Sequence, residues 1–485
     1  MSSSVRRGNL VGTILTTIAV LVGTGCSTTL QGNAVSVFDD PFRVAGLPAT
    51  DGPTGLRPNA EDPTRDVQGT DGGEIDWLGG NAISDIEQYW EIAYPETFDD
   101  EFAPAEALVS FDASNFDGEF CGADTYGLVN AGFCYSDRTL GWDRSELLPD
   151  LHRAYGDMGV VLVLAHEYGH AVAHQAGISG KGIPTLVGEQ QADCLSGAYI
   201  RWVAEGNSPR FTLSTGEGLN NVLAAVISFR DPLLNEGDPD AGVDEHGSAF
   251  ERLSAFQFGF TDGPSACEGI DLREIAQRRG DLPVLLPEDQ TGELPVNEES
   301  VRSIVEAMGI LFPPADPPVL SFDIGDSENC ADARPSPPAS FCPTTNTITV
   351  DLIELQEMGS QSARQDGSSL AVGDNTAYSV LVSRYMAALQ RERGGVTLNS
   401  AKAALRTACL TGVATTEMTT EVIMPDGDTI ALTAGDIDEA LSGILTNGLV
   451  ASDVNGESVP SGFSRIDAFR LGVLSDVERC FNRFP

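Results

Sequence analysis

Lysine is nearly absent. The 485-residue chain has two, Lys181 and Lys402, and its other basic residues are arginine. Together these number 28 against 72 Asp and Glu, a formal net charge of −44. A surface of that sign repels phosphate backbones and anionic lipid, which excludes nucleic-acid partners and leaves a covalent lipid anchor as the only route to a membrane. Histidine is absent from the second half. All five (His152, His166, His170, His174 and His246) fall within one window of under 100 residues, so imidazole chemistry belongs to the first half. Long uncharged apolar runs are missing beyond the N-terminus, so no later segment reads as a membrane span. With 41% hydrophobic and 21% charged residues the bulk is globular, and its length suits two or three domains.

The N-terminus reads as an address. Arg6 and Arg7 precede an apolar stretch, 10–22, and then Gly23-Thr24-Gly25-Cys26. A basic start, a short apolar core and small residues define an export signal over 1–26. The small residues before Cys26 resemble a lipobox, although Gly23 stands where leucine is usual. Cys26 is the expected lipidation site, and the chain is expected at the cell membrane facing outside the cytoplasm, with plain secretion as the alternative. Residues 27–76 are rich in Gly, Pro, Asp and Thr without apolar periodicity and predict a flexible tether.

Removing Cys26 leaves eight cysteines, an even count that argues for disulfides in an oxidising compartment. Gaps of 13, 60 and 73 separate the first four, and 12, 67 and 71 the second four. The flanks agree. Val109-Ser110-Phe111-Asp112 matches Leu320-Ser321-Phe322-Asp323, and Phe133-Cys134 matches Phe341-Cys342. Cys194-Leu195-Ser196-Gly197 matches Cys409-Leu410-Thr411-Gly412. Phe250, Arg252, Ala255, Phe256, Gly259 and Cys267 align without a gap to Phe463, Arg465, Ala468, Phe469, Gly472 and Cys480. This predicts two tandem copies of one domain, 77–267 and 297–480, joined by a linker, 268–296. If bonding survived duplication, a local staple Cys121–Cys134 leaves Cys194–Cys267, and the second copy pairs Cys330–Cys342 and Cys409–Cys480.

Residues 158–175 read MGVVLVLAHEYGHAVAHQ, the apolar lead of a buried helix. His166 and His170 stand at i and i+4, on one face, so both imidazoles can reach one Zn²⁺ ion. Glu167, one step round, can hold a water and take its proton. Nineteen residues after His170 comes Glu189-Gln190-Gln191-Ala192-Asp193. There Glu189 can bind the metal while Asp193 orients a ligand imidazole. His174 extends the same face and is expected in a supporting or surface role, and His152 is expected to be structural. For the group that steadies the oxyanion, His246 is the candidate, with Tyr155 and Tyr199 as alternatives.

These two motifs, with the Phe133-Cys134 strand, the helix at 83–90 and the tail at 246–259, resemble the bacterial neutral zinc metallopeptidase family, of the glutamate-ligand zincin type. The resemblance covers most of the first copy. It implies one zinc held by His166, His170 and Glu189, with Glu167 as general base. It also implies an α+β fold in which the zinc helix packs on a small sheet. Tyr168 is bulkier than the aliphatic residue usual there, and Ala171 stands where a further histidine often follows. The family supplies no physiological substrate.

The second copy lacks the chemistry. Ala404 falls opposite Glu189, Ala408 opposite Asp193 and Val459 opposite His246, and its helix offers Arg384, Tyr385 and Met386. The expected function is therefore zinc-dependent hydrolysis of peptide bonds in a protein or peptide substrate at the cell envelope. The second copy is expected to be inactive, in a structural, regulatory or docking role toward no identified partner. The alternative is a non-catalytic envelope binding or scaffolding lipoprotein with a vestigial zinc site.

Overall fold

Strand Ala107–Phe111 buries Leu108 and Phe111, and it pairs in parallel with Thr139–Asp143 on one side and with Val67–Gln68 on the other. Ala131–Cys134 closes this four-stranded sheet as an antiparallel hairpin partner of Thr139–Asp143. The computed structural model describes residues 40–115, 118–239, 246–288, 290–360 and 370–485. The export signal, Cys26 and the first part of the expected tether lie outside them.

The second half holds a three-stranded sheet of its own. Val319–Ser321 runs parallel to Thr347–Val350, which pairs antiparallel with Ala339–Cys342. The fold is α+β, with small sheets packed on helices. Helices Asp157–Gln175, Thr185–Ala204 and Ala249–Asp262 of the first half have counterparts in Asp374–Arg393, Ala401–Glu417 and Gly462–Val473. In each half the second and third of these helices touch backbone to backbone. A Cβ on Gly259 would stand 1.7 Å from the Cys194 carbonyl oxygen, and one on Gly472 1.8 Å from that of Cys409. Only glycine fits either place, which gives the two sequence matches one cause. The four disulfides are Cys121–Cys134, Cys194–Cys267, Cys330–Cys342 and Cys409–Cys480.

One expectation is corrected. The described part of the tether is packed. Gly55–Leu56 pairs with Phe211–Thr212, Val67–Gln68 joins the sheet, and Arg65 reaches Glu87 at 2.6 Å. Strands of two residues satisfy backbone groups without any period that a sequence could show. The linker likewise holds a helix, Leu272–Arg279, whose Arg278 is buried against Gln190 and the Glu251 carbonyl. The two halves pack on each other, and residues Val37–Pro485 form one unit. Asp438 accepts from the amides of Ala249 and Phe250, Asn220 accepts from Gly462 at 2.8 Å, and the rings of Phe260 and Phe463 lie 4.9 Å apart. No helix among the described residues is long and apolar enough to cross a membrane.

Candidate metal centre

Helix Asp157–Gln175 starts at Gly156, whose φ of 71° suits glycine, and buries its whole apolar lead from Met158 to Ala165. That fixes the helix in the core and leaves His166 and His170, one turn apart, facing helix Thr185–Ala204. The two helices meet at Gly169, where a Cβ would stand 2.9 Å from the Cα of Ala192. This contact lets Glu189, one turn before Ala192, reach both imidazoles.

The ligand atoms of His166, His170 and Glu189 lie within 4.8 Å of one another. His166 Nε2 stands 3.1 Å from Glu189 Oε2 and His170 Nε2 3.3 Å from Oε1. Ligands bound to tetrahedral zinc at about 2.0–2.2 Å stand roughly 3.3–3.6 Å apart, so this donor set fits the ion. The far nitrogens are held too. His166 Nδ1 lies 2.8 Å from Asp193 Oδ1, and His170 Nδ1 lies 3.5 Å from the Tyr135 hydroxyl. Such partners fix ring orientation and leave Nε2 to the metal. Burial pulls His166 downward, but Asp193 and Glu189 outweigh it and raise its pKa to about 10. Burial pushes Glu189 up, and the hydrogen bonds from both histidines more than reverse this, leaving it well below the usual carboxylate range. Two imidazoles around an ionised carboxylate are the charge pattern a divalent cation replaces.

Glu167 lines the cavity of about 450 Å³ that holds His166, His170, Glu189 and His246. Burial raises its pKa, against the pull of the two histidines. A raised carboxylate suits a group that takes and returns a proton.

His246 reaches the site from the loop before helix Ala249–Asp262, with Nε2 3.8 Å from Glu189 Oε2. Its Nδ1 lies 3.0 Å from Asp231 Oδ1, and Asp231 also accepts from the amides of His246 and Gly247. The Asp231 hydrogen bond raises the His246 pKa despite partial burial. The alternatives lie elsewhere. Tyr199 is buried with its hydroxyl on Asp85 at 2.8 Å, and neither it nor Tyr155 lines the cavity. His174 packs against the rings of Phe133 and Tyr135, and His152 meets Asp157 at 2.9 Å on the surface. Tyr168, the bulky member of the motif, points away from the metal ligands. Its hydroxyl donates to Glu87 at 2.9 Å and accepts from the Ala105 amide.

Three residues of this site escaped the sequence reading. Arg252 is 3% exposed and donates to both oxygens of Asp193, at 2.9 and 2.7 Å. Its place in the gapless match with Arg465 was the available signal, because a buried guanidinium needs a partner. Tyr135 follows the disulfide-bonded Cys134. Asp231 had no local signal.

In the second half Ala404, Ala408 and Val459 are fully buried where the acids and the histidine would stand. Helix Asp374–Arg393 also begins with an Asp after a capping glycine, Gly373-Asp374 against Gly156-Asp157. In that register Ser383, Arg384 and Ala387 replace His166, Glu167 and His170. Two other groups gather ligand-type atoms among the described residues. In one, Cys330, Asp332 and Cys342, both sulfurs are in a disulfide. The other is the acidic trio Asp374, Asp436 and Glu439.

No family model matches the chain, and no solved structure matches it. Uncharacterized proteins of Mycobacterium tuberculosis and Mycobacterium bovis are 26% identical to it over 167 residues, covering 30% of this chain and 57% of each relative. The chain thus spans a little over half the length of the curated relatives it matches.

Proposed function

We propose that this chain is a zinc-dependent peptidase of the glutamate-ligand zincin type, hydrolysing peptide bonds at the cell envelope. The observation that carries the reading is Glu167, a carboxylate that a purely structural metal would not need, facing the cavity that the three ligands line. When bound, zinc would supply Lewis acidity, polarising the scissile carbonyl and lowering the pKa of the attacking water. Glu167 takes the proton of that water and delivers it to the leaving amine. His246, held through Nδ1 by Asp231, directs its Nε2 proton toward the charge that develops on the carbonyl oxygen. Asp193 and Tyr135 keep the two ligand rings in place.

The envelope part of the reading rests on the export signal at 1–26, on Cys26 as lipid attachment point, and on four disulfides that suit an oxidising compartment. The second half, without ligands, acts through its packing and its surface.

The test is cleavage of a peptide library and of unstructured proteins, with and without chelator, beside elemental analysis. The expected result is one zinc per chain and hydrolysis that chelation abolishes and zinc restores. The fully apolar replacement of the second site at Ala404 and Ala408 favours one rival, a binding protein with a vestigial metal. Tight zinc with no cleavage of any substrate would establish that rival.

A further inference from the structure

A second cavity, of about 500 Å³, opens beside the metal cleft and is built by both halves of the chain. Arg230, Asp231 and Pro232 line both cavities, so the two are neighbours across one short segment. Asp231 is the residue that holds His246, and Gly247 already belongs to the second cavity's wall. The wall is aliphatic, from Leu233, Leu282, Val284 and Leu285 of the first half and its linker, and Ile437 of the second half. Leu233 is 47% exposed and Val284 44%, large apolar groups left open to solvent inside a concavity. The volume lies within the range of pockets that bind small groups, about 300–1,000 Å³.

The polar lining is acidic on balance. Its carboxylates are Asp231, Glu251, Glu293, Asp438 and Glu439, and its two arginines already face carboxylates of the same wall: Arg279 meets Glu251 at 2.6 Å and Arg230 meets Asp438 at 3.8 Å. Among the described residues of the lining an anionic occupant finds no cation without a carboxylate beside it, and the net charge of −44 opposes it further. An uncharged aliphatic group gains by covering the exposed leucine and valine.

We infer that this cavity is a specificity subsite for a leucine-like side chain of an extended polypeptide bound across the metal cleft. Its wall is completed by the second half through Ile437, Asp438 and Glu439. The inference rests on reading the metal cleft as a peptide site, and it gives the ligand-free half a share in substrate choice.

Binding separates this from catalysis. Zinc-loaded full-length Glu167→Gln protein is titrated with otherwise identical uncharged peptides whose central residue is Leu, Ala or Asp. The Leu peptide is expected to bind at least about 10-fold more tightly than the Ala peptide, the scale of a few methylenes in an apolar pocket, and the Asp peptide most weakly. Leu233→Asp and Val284→Asp, both at exposed positions, are each expected to bring the Leu-to-Ala ratio close to one. Melting temperature and zinc content report that these variants are folded. Equal affinity for Leu and Ala, no peptide binding at all, or a preference that survives both substitutions would overturn the inference. Cleavage by the unsubstituted protein is scored apart. Leucine-selective binding without hydrolysis overturns the peptidase reading alone, and hydrolysis without leucine preference overturns the subsite alone.

Discussion

Arg252 and Arg465 occupy matching places in the two halves and are treated in opposite ways. Arg252 forms a two-point bridge to Asp193, and this carboxylate overcomes burial to hold its pKa above the ordinary value. Arg465 faces only carbonyls, those of Val459 and Leu445, and burial pulls it down to about 10. Asp193→Ala should therefore strand a buried cation at a cost of about 3–5 kcal/mol. It should also loosen zinc by about 10- to 100-fold by freeing the His166 ring. Denaturant unfolding and competition with a zinc chelator check the two effects, and Asp193→Asn should lose less of each. Glu167→Gln is the complementary case. It should lower kcat by at least about 10²-fold with zinc still bound, because glutamine can hydrogen-bond water but cannot take its proton. Near-normal turnover in the zinc-loaded variant would place the base elsewhere. That His166 and His170 share one face was legible in the sequence because i, i+4 spacing fixes it. The supporting residues were not. Asp231 is 15 positions from His246, Tyr135 is 35 from His170 and Arg252 is 59 from Asp193, distances at which sequence spacing says nothing about contact.

Helices Asp374–Arg393 and Asp436–Thr446 begin side by side, and their first turns bring Asp374, Asp436 and Glu439 within 4.8 Å. Backbone amides of Leu294, Thr433 and Asn375 donate to these carboxylates, yet burial dominates, joined by repulsion from Glu293 and, for Asp436 and Glu439, from Asp374. They raise the three to about 7, 8 and 9 in that order. The folded pKa values exceed the unfolded ones, near 4, so the folded state binds protons that the unfolded state releases. The stability they contribute is fully present below about pH 4 and is lost as pH rises through 7 to 9. Stability measured by denaturant should thus fall between pH 6 and 9. Glu439→Gln, which stays neutral, should gain on the parent as pH rises from 5 to 9, by up to about 5 kcal/mol at roughly 1.4 kcal/mol per pH unit. A parent profile flat from pH 6 to 9 would refute this. The sequence shows these helices through their apolar spacing. It does not show that two acidic starts meet, nor that Gly55–Leu56 and Val67–Gln68 form two-residue strands, because both depend on pairing with distant chain.

At the scale of the whole molecule, the matching segments of the two halves were visible in the sequence, whereas the sharing of one core between those halves was not. Apolar positions that repeat within each copy do not say which of them face the other copy. Phe256 and Phe469 are matched and buried, but the ring contact that crosses between the halves joins Phe260 to Phe463, whose match in the first half is Phe250. The crossing contacts bear on the metal cleft. Asp438 of the second half accepts from the first amides of helix Ala249–Asp262, directly after the loop that carries His246, and stands 3.8 Å from Arg230. A chain ended at residue 290 keeps every metal ligand, Asp193, Arg252 and the linker helix. It loses that acid, the Gly462 bond to Asn220, and the cover over Phe260 and Gln257. Loss of a capping acid alone costs about 1 kcal/mol, and the newly exposed apolar surface adds to it. The shortened chain is therefore expected to melt several degrees lower. Its zinc content should stay at one per chain once folded, because no ligand lies beyond residue 189. Its kcat/KM should fall and its substrate range change, because the His246 loop is no longer braced from the second half. Melting, elemental analysis and a peptide panel on both chains check this. Agreement of the two chains on all three measurements would remove the second half from stability and catalysis and leave it a binding module that shares the chain.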